Sequence, residues 1–417
     1  MKFYAQPDGV PLAARVFTAH RLFAYPLIFL TVYVISSIAW VSASGNMLDP
    51  RAMPLGYDFI TFWAGSWLNL HHDPAAVFDP NKIFAAEQIA VHANEKMFLW
   101  HYPPTFLLIV APLALLPYLT AYFLWVAATL APYALVIRKM APQPQTLLLL
   151  AAFPGTFLNV AHGQTGFIVA ALLGGALMTL ERRPILAGVL IGLMSFKPHL
   201  GVLIPIALIC GGHWRTLVTA AITAAAFVAI SILFLGIQPW IAFWHNMPLA
   251  RAVFENGLVG WNKLTTVYAA LRLAGADMTV AYALQALVAI LTAAAVGWIW
   301  WRRPPLALRA ATLVSGALLV SPYLFNYDYA LLAIPIALLG MDGYVRGWMS
   351  YERIVLAAAW AMPLVAVGLA GAIPVQIGPL CVAALFLVAA RRALVTAPSD
   401  IPAIRRPFAR DDSVAST

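Results

Sequence analysis

Long apolar segments alternate with short polar turns along almost the whole chain. Twelve such segments can be drawn, and most of them approach the ~20 apolar residues that an α-helix needs to cross a bilayer. No small-residue cleavage site follows the first segment, Leu22 to Ala43, so we expect a retained helix and not a signal peptide. The pattern predicts an all-α polytopic membrane protein with about 10 to 12 transmembrane helices.

Some stretches depart from this regular pattern. The segments 184–196 and 199–211 are short for a span, so we expect either short helices inside the bundle or a re-entrant hairpin beside a cavity. Two long polar stretches, 45–103 and 237–277, are expected to form outer-face loops with helices of their own. In the first of them, apolar residues among charges over 80–98 predict a helix along the membrane surface.

Basic residues lie at alternate turns, and this sidedness predicts the topology. The N-terminal basic residues and the later basic turns are Lys2, Arg15, Arg21, Arg138-Lys139, Arg182-Arg183, His213-Trp214-Arg215, Arg302-Arg303, Arg346 to Arg353 and Arg391-Arg392. Lys and Arg concentrate on the cytoplasmic side of membrane proteins, so we expect both termini in the cytoplasm. Residues 1–395 are expected to form a single domain in the cytoplasmic (inner) membrane, and 396–417 a disordered cytoplasmic tail.

Composition agrees with a membrane protein and excludes other classes. Hydrophobic residues make up 63% of the 417 residues and charged residues only 10%, whereas soluble domains have roughly 45–50% and 25%. The net charge of +9 comes from residues that flank apolar segments, so nucleic acid is not expected as a partner. The two cysteines lie inside apolar segments, which argues against a disulfide framework and a thiolate metal site.

The turns on the expected outer face carry clustered polar residues, which are the candidates for a functional site. These candidates are Tyr57, Asp58, His101, Tyr102, His162, Gln164, Lys197, His199, Asn262, Lys263, Asn326 and Asp328. Partial burial among aromatic residues is expected to raise the pKa of Asp58 toward the range of a general base. The alternative role for Asp58 is a helix N-cap. Asp328 is likewise either a cap or a second acidic group facing the site.

Two of these turns suggest ligand contacts. Gly163 allows a tight turn between His162 and Gln164, whose side chains can hydrogen-bond the hydroxyls of a ligand, although a plain polar turn fits equally well. Lys197 is a basic residue on the expected outer side, where the positive-inside rule disfavours lysine. A lysine between two apolar segments requires either an anionic partner or a side chain that extends to the lipid headgroups. Phosphate is the natural anion, with Lys263 as a second contact. No metal-binding or nucleotide-binding motif occurs, so neither a metal nor a cofactor is expected.

Taken together, the motifs resemble those of glycosyltransferase family 87, which belongs to the GT-C superfamily and contains polyprenol-phosphate-mannose-dependent mannosyltransferases. Over most of residues 20–390 the resemblance is carried by Gly56-Tyr57-Asp58-Phe59, Tyr102-Pro103-Pro104, Gly163-Gln164, Lys197-Pro198 and Ser321-Pro322-Tyr323. The resemblance implies a GT-C-like bundle with outer-face loop helices, in which the first outer loop carries the catalytic acid. It also implies a polyprenyl-phosphate sugar donor and an inverting mechanism.

The resemblance assigns roles to individual residues. Asp58 would be the base that deprotonates a hydroxyl of a glycan or glycolipid acceptor, and the transferred sugar would be a hexose such as mannose. Lys197, His199 and Lys263 would bind the donor phosphate. Two hypotheses from other classes stay open. A polytopic transporter or lipid flippase would usually show internal repeats, which this chain lacks. The second is a non-catalytic membrane partner.

Overall fold

The structure is a computed structural model that describes residues 19–396, and its regular elements are helices. The α-helices are α1 (Ala19–Ser42), α2 (Phe59–His71), α3 (Pro80–Ala90), α4 (Thr105–Val110), α5 (Tyr118–Met140), α6 (Thr146–Ala151), α7 (Pro154–His162), α8 (Gly166–Thr179), α9 (Pro184–Leu193), α10 (Leu203–Gly211), α11 (Trp214–Leu235), α12 (Gln238–Glu255), α13 (Val267–Leu273), α14 (Met278–Arg302), α15 (Leu306–Val320), α16 (Ala333–Arg346), α17 (Glu352–Ala372) and α18 (Gly378–Val395). The 3₁₀ helices are Pro74–Phe78, Leu113–Leu115, Met194–Phe196, Pro198–Leu200, Trp261–Lys263 and Asn326–Leu332. The predicted all-α fold is confirmed. The tail predicted at 396–417 lies, except for Thr396, outside the described residues.

Many of the helices match the predicted membrane spans. In the described part of the chain, seven are long and apolar enough to cross a membrane: Arg21–Ser42, Tyr118–Met140, Trp214–Leu235, Met278–Arg302, Asn326–Arg346, Glu352–Ala372 and Gly378–Val395. Five further apolar helices are shorter: Thr105–Leu115, Gly166–Thr179, Pro184–Phe196, Pro198–Gly211 and Leu306–Val320. The two sets together fall within the predicted range of about 10 to 12. The chain is therefore a multi-pass membrane protein.

One predicted apolar segment is not a single helix. The run between Met140 and His162 is divided into α6 and α7, with Phe153 in an extended conformation between them. Pro154 explains the break, because the residue before a proline is sterically pushed out of the α-helical region. Pro154 itself then occupies the first turn of α7, where its missing amide donor is not needed.

Close helix packing holds the interior together. Helix α15 is buried along almost its whole length and packs against α14, α16 and α18. Helix α9 approaches α11 at two glycines: a Cβ on Gly188 would lie 2.5 Å from Thr219 Cβ, and one on Gly192 would lie 2.5 Å from Thr223 Cβ. Small residues at such spacing let helix backbones approach closely, which is the main source of packing energy inside a bilayer.

The 45–103 loop forms a small helical layer beside the bundle. Helix α3 packs against α2, but the helix predicted over 80–98 ends at Ala90. Val91 is extended, and the Asn94 side chain then holds a turn by accepting a hydrogen bond from Lys96 N at 3.0 Å and donating one to Lys96 O at 2.8 Å. An asparagine that bonds its neighbouring backbone offers the chain an alternative to the helix.

The 237–277 loop contacts both the first loop and the bundle. Phe243 in α12 packs edge-on against Phe78 with ring centroids 5.9 Å apart. Leu264 forms a β-bridge with Phe325, just before the 3₁₀ helix Asn326–Leu332. This bridge brings Lys263 next to the chain segment that carries Asp328, although 65 residues separate the two in sequence.

Candidate active site

Asp58 lies at the N-terminus of α2, but its side chain does not cap the helix. The carboxylate makes no capping hydrogen bond. Its Oδ2 instead accepts a hydrogen bond of 3.0 Å from Gln164 Nε2 and lies 3.7 Å from His162 Nδ1. The side chain is 29% exposed, so the group remains reachable from solvent. The structure therefore contradicts the interpretation of Asp58 as a helix cap. The hydrogen bond joins the motifs of Asp58 and Gln164, which are 106 residues apart in the sequence.

A strained turn presents Asp58 to its partners. Gly56 has φ +86°, and a Cβ there would lie 3.0 Å from the Tyr122 ring. Tyr57 has φ 44°, a left-handed conformation that is costly for a bulky residue. The conformation is held by the Tyr57 hydroxyl, which donates to Asp49 Oδ2 at 2.8 Å. Asp49 thus holds the backbone conformation of Tyr57, the residue directly before Asp58.

Sequence reasoning overlooked Asp49. Its side chain accepts hydrogen bonds from Arg51 N at 2.8 Å and Met53 N at 2.9 Å, and Trp40 Nε1 donates to it at 3.2 Å. An aspartate that bonds the backbone two residues ahead forms an Asx turn, and the Asp-Pro pair at 49–50 is a signal for one.

The neighbours of Asp58 lower its pKa, contrary to expectation. Burial acts to raise the pKa of Asp58, but His162, the hydrogen bond from Gln164 and the charge of Lys263 outweigh it and place the pKa below the ordinary aspartate value. The expectation of a raised pKa was wrong because the sequence does not show these three neighbours. Asp58 is consequently ionised at neutral pH and able to accept a proton.

Polar contacts continue from Asp58 into the bundle. Gln164 Oε1 accepts a hydrogen bond from the Tyr102 hydroxyl at 2.9 Å, and this hydroxyl lies 3.3 Å from Thr165 Oγ1. Both Gln164 and Thr165 are buried. They follow Gly163, whose φ of 56° ends α7 in a tight turn, as predicted. Gln164 and Thr165 are therefore parts of a buried hydrogen-bond network and not of a plain solvated turn. His162, on the other side of Gly163, lies near Asp58, and its Nδ1 has no hydrogen-bond partner in the described part of the chain.

The same network reaches Lys197, which is buried and paired. Its ammonium donates to Thr165 Oγ1 at 3.0 Å, forms an ion pair with Asp328 and lies 5.2 Å from the Tyr327 ring centroid. Lys197 is 4% exposed and Asp328 fully buried. Extension to the lipid headgroups is therefore excluded for Lys197 in this structure. Asp328 has a capping role, because it is the third residue of the 3₁₀ helix Asn326–Leu332 and its Oδ2 accepts a hydrogen bond of 3.2 Å from N of the N-cap residue Phe325. Its other expected role, as an acidic group facing the site, stays a prediction.

Four other candidates lie around this network. Lys263 is exposed and close enough for its charge to act on Asp58. His101 is also exposed, and its ring interacts with the Asp58 charge. The His199 ring lies within electrostatic range of Lys197, and its Nε2 is buried without a hydrogen-bond partner in the described part of the chain. Asn326 is buried directly before Tyr327.

The remaining candidate, Asn262, and two unpredicted residues complete the region. Asn262 is half-buried, and its carbonyl accepts a hydrogen bond from Gln376 Nε2 at 3.4 Å. Thr165 and Tyr327 were not singled out, although each adjoins a predicted residue. The Tyr327 ring centroid lies 5.8 Å from that of His162, so Tyr327 lies between the Asp58 and Lys197 ends of the site. Within residues 19–396, no group of three or more His, Cys, Asp or Glu side chains is placed to hold a metal ion.

This arrangement defines the class of protein: a polytopic helical membrane protein with an ionised aspartate and a buried lysine in one polar network. The model of glycosyltransferase family 87 matches residues 100–322, which is more than half of the chain. The chain therefore belongs to glycosyltransferase family 87 and is a membrane glycosyltransferase. The matched range includes Tyr102, Gln164, Lys197 and Lys263, whereas Asp58 precedes it. No curated protein and no solved structure matches the chain.

Proposed function

We propose that this glycosyltransferase moves a hexose, such as mannose, from a polyprenyl-phosphate donor to a hydroxyl of a glycan or glycolipid. The observation that carries the proposal is the ionised carboxylate of Asp58, held by Gln164 and joined through Tyr102 and Thr165 to a buried cation. Membership of family 87 supports an enzyme over a transporter or flippase. The apolar groove that Pro198 helps to line supports a lipid-linked donor over a nucleotide sugar.

In the proposed reaction, Asp58 acts as a general base. It removes the proton of the acceptor hydroxyl while that oxygen attacks the anomeric carbon of the donor sugar. The bond from the anomeric carbon to the phosphate oxygen breaks, and polyprenyl phosphate leaves with the electron pair. Attack from the face opposite to the phosphate inverts the anomeric configuration. The proton on Asp58 then passes to solvent, to which the side chain is partly open.

The developing charge on the phosphate requires cationic neighbours. Lys263 is exposed and has no acid within ion-pair distance in the described part of the chain, so its ammonium is free to contact a phosphate. Lys197 is already paired with Asp328, so an arriving phosphate would share this lysine with the carboxylate. The unpartnered Nε2 of His199 would provide a neighbouring hydrogen bond.

An apolar groove beside Lys197 supports the lipid part of the proposed donor. The groove has a volume of about 300 Å³ and is formed by residues of α9, α10, α11 and the 3₁₀ turns between α9 and α10. It is lined by side chains including Ile191, Met194, Pro198, Val202, Leu217 and Ala221. An isoprenoid chain in such a groove would place its phosphate near Lys197, since Pro198 follows this lysine directly.

We further propose that the enzyme lies in the cytoplasmic membrane with both termini in the cytoplasm and its site on the outer face. The alternation of basic and non-basic turns supports this orientation. The site residues come from the turns that alternate with the arginine-rich ones, among them His162-Gly163-Gln164 and Lys197-Pro198-His199.

Replacing Asp58 by asparagine tests the assignment of the base. Asp58→Asn keeps the size of the side chain but removes its basicity, so the transfer rate should fall by roughly 100-fold or more. The measurement is transfer of labelled sugar from polyprenyl-phosphate hexoses to an endogenous acceptor in membranes that contain the full-length chain. Labelled nucleotide sugars, supplied separately, test the donor class.

Asp73→Asn serves as the matched control, because Asp73 is an exposed aspartate of the same loop whose side chain caps a 3₁₀ turn. The control should retain the wild-type rate, and both variants should unfold at the wild-type temperature. Wild-type transfer by Asp58→Asn would refute the role of the base. Direct transfer from a nucleotide sugar by the purified chain would refute the donor class.

A further inference from the structure

A second polar region lies at the opposite end of the helices from Asp58. Helix α8 starts next to Thr165 in the site and runs for 14 residues to Thr179, a rise of about 21 Å. Directly after it, Leu180, Glu181 and Pro184 line an open pocket of about 450 Å³ together with residues 212–216, which comprise the turn after α10 and the start of α11. We call this pocket the arginine pocket. The length of α8 separates it from the proposed reaction.

Several arginines lie at or near the arginine pocket. Arg215 lines it, and Arg303 and Arg309 contact residues of its lining. Arg182 and Arg183 directly follow the lining residue Glu181 in sequence, and Arg302 directly precedes Arg303. Arg309 is buried and donates to Glu181 Oε1 at 2.6 Å, and its Nη1 lies 3.3 Å from His213 Nε2. Arg303 reaches the same turn, because a Cβ on Gly212 would lie 2.8 Å from its Nη2. Helix packing therefore gathers charges that the chain distributes over more than 120 residues.

This cluster carries excess positive charge. Its one acid, Glu181, is engaged by the buried Arg309. The other five arginines are exposed, and none of them has an acid within ion-pair distance in the described part of the chain. Exposed guanidinium groups next to a concave surface suit phosphate, because the planar fork of arginine binds two phosphate oxygens at once.

The surrounding aromatic residues indicate where the phosphate comes from. Trp214 is 57% exposed, Trp298 47% and Trp301 68%, and the Arg302 guanidinium lies 5.2 Å from the Trp298 ring. Exposed tryptophans at the ends of apolar helices are typical of the depth at which lipid headgroups lie. An anion bound there would belong to the bilayer rather than to the bulk solution.

We propose that the arginine pocket binds the phosphate of an anionic phospholipid from the adjoining leaflet. Basic pockets between transmembrane helices bind such headgroups, each nearby arginine contributing about 1 kcal/mol. A bound lipid would link the turns that end α8, α10 and α14. Because it binds the folded state, it would also stabilise the bundle against unfolding. This site is independent of the sugar donor and of the role of Asp58.

The test is a lipid titration of the purified full-length chain in uncharged detergent, followed by native mass spectrometry and by the unfolding temperature. Phosphatidylglycerol should bind at least tenfold more tightly than phosphatidylcholine and should raise the unfolding temperature. Inorganic phosphate at the same concentration should not. The double variant Arg215→Gln/Arg303→Gln should weaken phosphatidylglycerol binding by roughly 30-fold, which corresponds to about 1 kcal/mol for each arginine.

Both substituted side chains are exposed, so the double variant should fold normally. The control is Arg138→Gln/Lys139→Gln, which removes two charges from the last turn of α5 and should leave the affinity unchanged. Equal affinity for the two lipids, an equal effect of inorganic phosphate, or an unchanged affinity of the Arg215/Arg303 variant would each overturn the proposal. An equal loss in the control would overturn it as well, because binding would then follow total charge.

Discussion

Asp58 and Glu87 are carboxyl groups of the same loop, and their neighbours give them opposite protonation states. Burial acts to raise the pKa of Asp58, but His162, the hydrogen bond from Gln164 and the charge of Lys263 keep it below the ordinary value. Glu87 is fully buried and has only the Phe98 amide at 3.2 Å and a Thr61 contact at 3.5 Å, so burial raises the pKa of Glu87 to about 8. Only the first of these groups is in the ionised form that a base requires at neutral pH.

The buried pair of Lys197 and Asp328 leads to a stability prediction at the same scale. Lys197→Met should lower the free energy of unfolding by about 3–5 kcal/mol, because it leaves the fully buried Asp328 carboxylate without its cation. Adding Asp328→Asn to this variant should restore much of the loss, since the neutral amide needs no counter-charge. Denaturant unfolding in detergent compares the free energy of unfolding of the wild type with that of these two variants.

Lys82→Met is the matched control for the lysine, because Lys82 is exposed in α3. It should leave the free energy of unfolding within about 0.5 kcal/mol of the wild type. If Lys197→Met were equally harmless, the ion pair would not be part of the stabilising network.

At the scale of elements, the packing of α3 on α2 makes the 45–103 loop sensitive to pH through Glu87. In the folded state Glu87 keeps its proton up to about pH 8, whereas in the unfolded chain it ionises near the ordinary value of 4.5. Unfolding therefore releases a proton between these values. The stabilising contribution is complete below pH 4.5 and is lost as the pH rises to about 8, by up to about 1.4 kcal/mol for each pH unit.

Glu87→Gln should remove this part of the pH dependence, because the amide does not titrate. The measurement is the unfolding free energy of the wild type and the variant across that pH range. The difference between their curves isolates Glu87 from the histidines that titrate in both proteins. Glu95 is exposed in the same loop, so the unfolding free energy of Glu95→Gln should depend on pH as that of the wild type does. A Glu87→Gln curve parallel to the wild type would contradict the burial argument.

Some elements could be predicted because their signals are local. The glycine at 163 acts through the conformations that its own backbone allows, so its tight turn was predicted. The break before Pro154 has an equally local cause, but it was not predicted. The end of α3 at Ala90 could not be predicted in the same way, although Asn94 lies only four residues further along the sequence. Asparagine competes with a helix only where its side chain meets suitable backbone groups, and those groups come from the folded turn.

At the scale of the whole molecule, a buried ionic cluster joins the last three α-helices. Arg392 of α18 is only 3% exposed and pairs with Asp342 of α16 and Glu352 of α17, and its Nη2 also donates to Gly347 O at 2.7 Å. The sequence placed Arg391 and Arg392 together in a basic turn. In the fold both lie within α18, where one guanidinium points into the bundle.

Replacing Arg391 and Arg392 separately tests whether only the buried arginine stabilises the bundle. Arg392→Ala should lower the free energy of unfolding by about 3–5 kcal/mol, because it leaves two buried carboxylates unpaired. Arg391→Ala should have an effect within about 0.5 kcal/mol, since Arg391 is exposed. Thermal and denaturant unfolding of both variants in detergent provide the comparison. Equal stability of the two variants would rule out the cluster as a tie between the helices.

The sequence by itself determined the all-α membrane class, the two long loops, the short pair 184–196 and 199–211, and the polar turns that supply the site. These features depend on local hydrophobicity and backbone preference, which are properties of neighbouring residues. The family motifs were readable for the same reason, since each occupies only a few consecutive positions.

Only the tertiary structure decided what the polar residues do to one another. In the fold Asp58 does not cap its helix but accepts a hydrogen bond from Gln164, and Lys197 forms an ion pair with Asp328. The fold also brings Lys263 close enough for its charge to act on Asp58. The pKa of a carboxylate and the availability of a lysine depend on groups within a few ångströms. In this chain those groups come from segments more than 100 residues apart, so their effects could not be predicted from local sequence.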